Sequence, residues 1–242
     1  MSDSLSIIVA EDNPRDMDYL CQQLTEHQLF RADNGQAALD NALGYDEPNV
    51  ISDIQMPGMN GVELARDLWQ QRPMARIVFW SQYRDESYVR SLSRMIPPDT
   101  VYGFVLKDNP TDTVSRAINA VFMDNQCWID PRVRRVQARL QSPDSSLTDG
   151  EYEVLIDIAL GLTDNAIARR RYLSRRGVQN RLRSLYNKLD ADHISTSAQH
   201  PSDLVNMRNR SVSIALRRGL LNKPELEKEE QQLQLWLQED RP

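Results

Sequence analysis

The chain reads as an α/β domain followed by an all-α domain. Three observations predict this. Short apolar runs alternate with helically spaced segments over residues 1–122; the alternation stops between residues 123 and 146; and from Leu147 onward the pattern is purely helical. Repeated strand–helix units imply a doubly wound, five-stranded parallel sheet with helices on both faces. Apolar runs without alternation fit strands buried on both sides.

Leu5–Ala10 is the first strand. Pro14 suits a first helical turn, and Met17, Leu20 and Leu24 carry helical spacing behind it. Leu29–Ala32 is strand two, Gly35–Leu43 a helix through Ala37, Ala38 and Ala42, and Val50–Ser52 strand three. Val62, Leu64, Ala65, Leu68 and Trp69 mark the third helix. Ile77–Trp80 is strand four, Tyr88–Met95 a helix, Phe104–Leu106 strand five and Val114–Phe122 the fifth helix. Pro131, Pro143 and the Ser-Pro-Asp-Ser-Ser run from Ser142 make 123–146 a linker, with Arg132–Leu140 able to form a helix inside it. Thr148 and Glu151 have capping-box spacing ahead of Val154, Leu155, Ile158 and Ala159. The expected organisation is a first domain over 1–122, a linker over 123–146, a helical domain over 147–221 with an insertion at about 190–210, and an acidic tail over 222–242.

The net charge of −6 conceals a division of sign. Residues 1–122 carry 18 acids and 10 bases, residues 123–223 carry 11 and 17, and residues 224–242 carry 6 and 2. An acidic first half and a basic second half suggest a regulatory domain joined to an anion-binding one. No apolar run approaches the roughly 20 residues that span a bilayer, and the N-terminus has no signal-peptide pattern. A cytoplasmic protein without a membrane partner is expected. Cys21 and Cys127 fit no metal or disulfide spacing and read as reduced structural thiols.

Asp53 ends strand three and opens the segment Asp53-Ile54-Gln55-Met56-Pro57-Gly58-Met59-Asn60-Gly61. A strand's C-terminal end is where open α/β sheets bind ligands. Glu11-Asp12 follow strand one, Ser81 follows strand four and Lys107 follows strand five. Taken singly, an acidic pair there is a helix-dipole charge, the Ser a turn cap and the Lys a solvated charge. Taken together they make a pocket. Three carboxylates converging at neighbouring strand ends repel one another, and oxygen-only ligands favour Mg²⁺. A carboxylate accepts a phosphoryl group as an acyl phosphate, with a cation holding the phosphoryl oxygens and a hydroxyl donating to them. Asp53, Lys107 and Ser81 supply those three parts.

The runs Val9-Ala10-Glu11-Asp12-Asn13, Asp53–Gly61, Ile77–Ser81 and Gly103–Asp108 resemble the receiver domain of bacterial two-component response regulators over residues 5–122. The resemblance implies a flavodoxin-like fold in which Asp53 takes phosphate from a sensor histidine kinase. It implies that Asp12, Asp53 and the backbone carbonyl of Gln55 hold Mg²⁺, with Glu11 assisting. It also implies that Ser81 and Phe104 form a coupled switch pair, against the alternative that Phe104 is an ordinary core aromatic. Two features depart from the pattern. Gln82 and Tyr83 stand where a small residue usually follows the hydroxyl, and Arg94–Thr100 is longer than expected.

Eight basic residues and no acids lie between Asn165 and Lys188. A helix capped by Thr163 runs over Asn165–Arg171; Tyr172-Leu173-Ser174 turns; and a second helix runs from the cap Ser174 to about Leu189. This is the helix-turn-helix pattern, with a basic face on an ordinary bundle as its alternative. Val178, Leu182, Leu185 and Leu189 are the buried stripe, so Gln179, Asn180 and Arg183 point outward towards base edges. Arg175, Arg176, Arg181 and Lys188 are assigned to phosphates. Residues 147–189 resemble the LuxR-type (NarL/FixJ) DNA-binding domain through Leu147-Thr148, Glu151–Leu155, Gly161-Leu162-Thr163, Ala166-Ile167-Ala168 and Val178-Gln179-Asn180. Ala215–Leu221 resembles that fold's last helix, which implies a homodimer in the active state. Gly177 departs from the usual Thr. His193 and His200, within the insertion, read as loop residues rather than ligands. The tail from Glu225 reads as a partly frayed amphipathic helix, or as a cover for a dimer or partner surface.

The expected function is a phosphorylation-controlled transcription regulator that binds promoter DNA. A protein-interaction switch is the second reading. An aspartyl-phosphate phosphohydrolase would need a second acid two residues beyond the nucleophile, where this chain has Gln55, so the chain is expected not to be an enzyme.

Overall fold

The computed structural model describes residues 4–82, 85–142, 144, 146–191 and 205–239. Tyr83, Pro143, His193, His200, Pro201 and most of the expected insertion lie outside the described residues. The chain divides into two compact units, one of residues 1–84 with 88–135 and one of 85–87 with 136–242. No described helix is long and apolar enough to cross a membrane.

The first unit is a parallel sheet in the order β2-β1-β3-β4-β5-β6. Its strands are β1 (Ser6–Ala10), β2 (Gln28–Ala32), β3 (Asn49–Ser52), β4 (Arg76–Ser81), β5 (Tyr102–Leu106) and β6 (Trp128–Ile129). Helices α1 (Pro14–Gln23), α2 (Gly35–Ala42), α3 (Gly61–Gln71), α4 (Glu86–Met95) and α5 (Thr111–Ile118) connect them. Strand alternation divides the core. Ile7, Val9, Ile51, Val78 and Val105 meet Met17 and Leu20 of α1 and Val114, Ala117 and Ile118 of α5. The opposite face carries Ile8, Val50, Phe79 and Phe104, all buried, and Trp69 of α3 packs edge-on against Phe79 there. The central strand β3 is buried at all four residues, as its unbroken apolar run requires.

The sheet has six strands, not the five expected. After α5 the backbone widens into a π-helical turn over Asn119–Met123. Asn125 adopts a left-handed conformation, and the Gln126 amide bonds back to Ala120 O at 2.7 Å. The reversal lays Trp128 and Ile129 beside Gly103 and Phe104. A two-residue strand has no periodicity for sequence reasoning to detect. The expected linker therefore begins as part of the first unit, and its second half is helix α6 (Pro131–Gln141).

The second unit is helical: α7 (Asp149–Ala159), α8 (Asp164–Arg170), α9 (Arg175–Lys188), α10 (Met207–Arg218) and α11 (Lys223–Glu239). The Thr148/Glu151 capping box starts α7, and the side chains of Thr163 and Ser174 cap α8 and α9. The core joins Val154, Leu155 and Ile158 of α7 to Ile167 of α8, Val178, Leu182 and Leu185 of α9 and Ala215 of α10. The acidic tail is a 17-residue helix that keeps one face on its own unit. Leu233 is buried. Glu225 accepts from the Tyr152 hydroxyl at 2.8 Å, and Glu229 pairs with Arg170 at 3.0 Å.

Candidate functional site

The C-terminal ends of β1, β3, β4 and β5 bring Glu11, Asp12, Asp53, Ser81 and Lys107 together, with Asp53 at the centre. Its Oδ1 accepts from the Ser81 hydroxyl at 2.6 Å and from the Ile54 amide at 2.5 Å. Its Oδ2 accepts from the Lys107 ammonium at 3.0 Å. The sheet register fixes this geometry: the Asp53 amide bonds to Ala10 O, and the Lys107 amide bonds to Ser81 O. The loop beyond Asp53 returns tightly. The Gly61 amide donates to Ile54 O at 2.8 Å, and a Cβ at Gly61 would lie 2.0 Å from Asp53 O. Only glycine permits this approach.

Glu11, Asp12 and Asp53 offer carboxylate oxygens that all lie within 4.8 Å of one another, so this cluster is able to bind a metal ion. Glu11 and Asp53 are buried and Asp12 is exposed. Burial pushes the Glu11 carboxyl up to about 7, against the downward pull of its hydrogen bond to Lys107. Such crowding of carboxylates is what a bound cation relieves. Oxygen donors at a sheet edge suit a hard divalent ion, so the residues present fit Mg²⁺. The Gln55 side-chain amide donates to the Tyr88 hydroxyl at 2.9 Å.

Lys107 is held more extensively than its position in the sequence indicated. Its ammonium donates to Glu11 at 2.7 Å, Asp16 at 2.7 Å and Asp53 at 3.0 Å. It also lies 4.7 Å from the Trp80 ring centroid, and Trp80 stacks on Tyr19 at 5.7 Å. Burial alone would lower the Lys107 pKa, but the bonds to Asp16, Glu11 and Asp53 outweigh it and raise the pKa above the ordinary lysine value. Sequence reasoning missed Asp16 and Trp80. Asp16 sits in the first turn of α1, where an acid is ordinarily explained by the helix dipole. Phe104 is fully buried, with its ring 5.9 Å from that of Phe79.

The second unit presents a basic helix face. Along α9, Arg175, Arg176, Gln179, Asn180 and Arg183 are exposed, while Val178, Leu182 and Leu185 are buried beneath them. Two expected phosphate contacts are placed differently. Lys188 donates to Glu151 of α7 at 2.8 Å and is a helix–helix tie. The Arg181 guanidinium lies over Gly150, within 2.6 Å of where a Cβ there would sit. Arg170 and Arg171 of the basic run also turn inward, both pairing with the fully buried Asp157.

A family model described as the response regulator receiver domain matches residues 7–119. The chain is similar to the transcriptional regulatory protein YdfI of Bacillus subtilis (strain 168), 27% identical over 199 residues that cover 80% of this chain and 84% of the relative. It is similar to the DNA-binding transcriptional activator DevR/DosR of Mycobacterium tuberculosis (strain ATCC 25618 / H37Rv), 29% identical over 165 residues covering 65% of this chain and 74% of the relative. The structure of RcsB from Salmonella enterica serovar Typhimurium, bound to a promoter in the presence of phosphomimetic BeF3-, aligns over 90% of this chain and 100% of that one. Its TM-score of 0.60 at 17% identity establishes a shared fold.

Proposed function

We infer that the chain is a response regulator whose residues 7–119, matched by the receiver-domain model, hold the phosphoacceptor Asp53, and whose helical second unit is the DNA-binding output. The observation that carries this reading is the Asp53 carboxylate, held by the Ser81 hydroxyl at 2.6 Å and the Lys107 ammonium at 3.0 Å beside Glu11 and Asp12. An Asp53 oxygen attacks the phosphorus of a phosphohistidine on a sensor kinase. The phosphorus–nitrogen bond breaks, and its electron pair returns to the imidazole. Lys107 and Ser81 then donate to the phosphoryl oxygens, which keeps them fixed as charge builds. Asp12, Asp53 and the Gln55 carbonyl, with Glu11 assisting, would hold Mg²⁺, which would supply charge neutralisation for the transferring group. Ser81, drawn to the phosphoryl group, couples to the buried Phe104 ring.

The output is promoter recognition. Gln179, Asn180 and Arg183 read base edges from α9, and Arg175 and Arg176 hold phosphates. The active form is a homodimer acting in the cytoplasm. The chain is a switch rather than an enzyme: the position two residues beyond Asp53 is Gln55, and slow hydrolysis of its own acyl phosphate is the only turnover expected.

Asp53→Ala is expected to remove all acid-labile phosphate after incubation with acetyl phosphate, while circular dichroism stays unchanged. Stoichiometric phosphate on that variant would overturn the assignment. Sequencing genomic fragments captured with and without acetyl phosphate identifies the operator, and no enrichment under either condition rejects the DNA-binding role.

A further inference from the structure

We propose that Asp16 is a positioning residue that holds Lys107 in a resting place and opposes phosphorylation of Asp53. This rests on the phosphoacceptor reading of Asp53. A lysine ammonium has three donors, and in this structure they go to Glu11, Asp16 and Asp53. The bond to Asp16, at 2.7 Å, is shorter than the bond to Asp53, at 3.0 Å. The Trp80 ring, itself stacked on Tyr19, lies 4.7 Å from the same ammonium. The Lys107 side chain is only 13% exposed, so this resting place is built by its surroundings rather than chosen by a solvated side chain.

The three partners differ in kind. Glu11 and Asp53 belong with Asp12 to the cluster able to hold a cation, and Asp16 does not. A divalent ion on that cluster takes up the charge of its members and leaves Asp16 as the counter-ion that Lys107 does not share. Phosphorylation of Asp53 then adds about one more negative charge and calls on the Lys107 donors. Asp16 competes for those donors and contributes like charge near the phosphoryl oxygens. The same charge attracts the cation. Neutralising Asp16 therefore weakens cation binding and strengthens phosphoryl binding, two changes of opposite sign. A merely structural defect at this position weakens both.

The experiment uses the full chain as wild type, Asp16→Asn and Asp16→Ala, with two titrations: Mg²⁺ alone followed by calorimetry, and beryllofluoride at saturating Mg²⁺. In both variants the Mg²⁺ dissociation constant is expected to rise about three- to tenfold, and the beryllofluoride dissociation constant to fall by a similar factor, the size set by a charge a few ångströms away at a half-exposed position. Asp16→Asn keeps an acceptor for Lys107 and is expected to show the smaller change of the two. Constants that move in the same direction, or beryllofluoride affinity that is unchanged, overturn the proposal while leaving Asp53 as the phosphoacceptor. A wild-type chain that takes up no beryllofluoride removes the phosphoacceptor reading, and this inference with it.

Discussion

Gly61 shows how closely single residues determine the site. Its N–H closes the loop onto Ile54, and the path of a Cβ is blocked by the carbonyl of Asp53 itself. Gly61→Ala must displace the backbone that carries Asp53, and the cost of such overpacking is typically about 1–3 kcal/mol. Urea unfolding of the variant is expected to show that loss. An unchanged midpoint would mean the loop relaxes freely. The same scale explains which site residues were legible in the sequence. Asp53, Glu11, Asp12, Ser81 and Lys107 stand directly after apolar runs, so the strand ends marked them. Asp16 was hidden because a first-turn acid has a sufficient local explanation, and its bond to Lys107 joins residues far apart in the chain. Lys188 was misplaced for the converse reason. In a basic run it reads as outward, and only the packing of α7 on α9 reveals Glu151 as its partner.

Among the elements, β6 and the start of α6 are held by one cluster of side chains. Asp130 accepts from the Arg132 amide at 2.8 Å, from its guanidinium and from Asn109 at 2.7 Å. Arg132 also reaches Asp108 at 2.6 Å. The loop just beyond Lys107 is thus fastened to the first turn of α6. Asp130→Ala removes a helix cap and leaves these donors without their acceptor, a loss of about 1–2 kcal/mol. Hydrogen exchange at the Trp128 and Ile129 amides should accelerate. Protection equal to wild type would show that strand pairing alone holds β6. Helices α7 and α9 are joined by Glu151, which accepts from Lys188, Ser184 and the Thr148 amide. Burial raises the Glu151 carboxyl, but these hydrogen bonds outweigh it and hold its pKa below the ordinary glutamate range. A depressed folded-state pKa stabilises the helical unit above the unfolded value, and that stability is lost as pH falls through the folded one. Protection of α7 and α9 amides is therefore expected to decline below about pH 4.3, and Glu151→Gln to flatten that decline. An equally steep acid response in the variant would assign it to other carboxylates.

Across the whole molecule, the division of charge was fully legible and its use only partly so. The residues from 123 to 223 carry an excess of bases. Arg170, Arg171 and Lys188 nevertheless spend their charge inside the helical unit on Asp157 and Glu151. Composition counts all of these as basic residues alike, whereas burial and pairing separate them from the exposed Arg175, Arg176 and Arg183. Salt dependence distinguishes the two groups, because each phosphate contact releases counterions and each intramolecular pair releases none. Arg176→Ala is expected to reduce the slope of log affinity against log salt by about one. Arg183→Ala is expected to weaken binding to the operator by about 1–3 kcal/mol and relax preference at one base position. Lys188→Ala is expected to leave the slope unchanged and to lower the stability of the helical unit by about 1–3 kcal/mol, since the buried Glu151 loses its cation. Filter-binding titrations from low to high salt, run beside urea unfolding of each variant, give both numbers. A slope for Lys188→Ala as shallow as that for Arg176→Ala would return Lys188 to the DNA-contacting set and reject the helix–helix role.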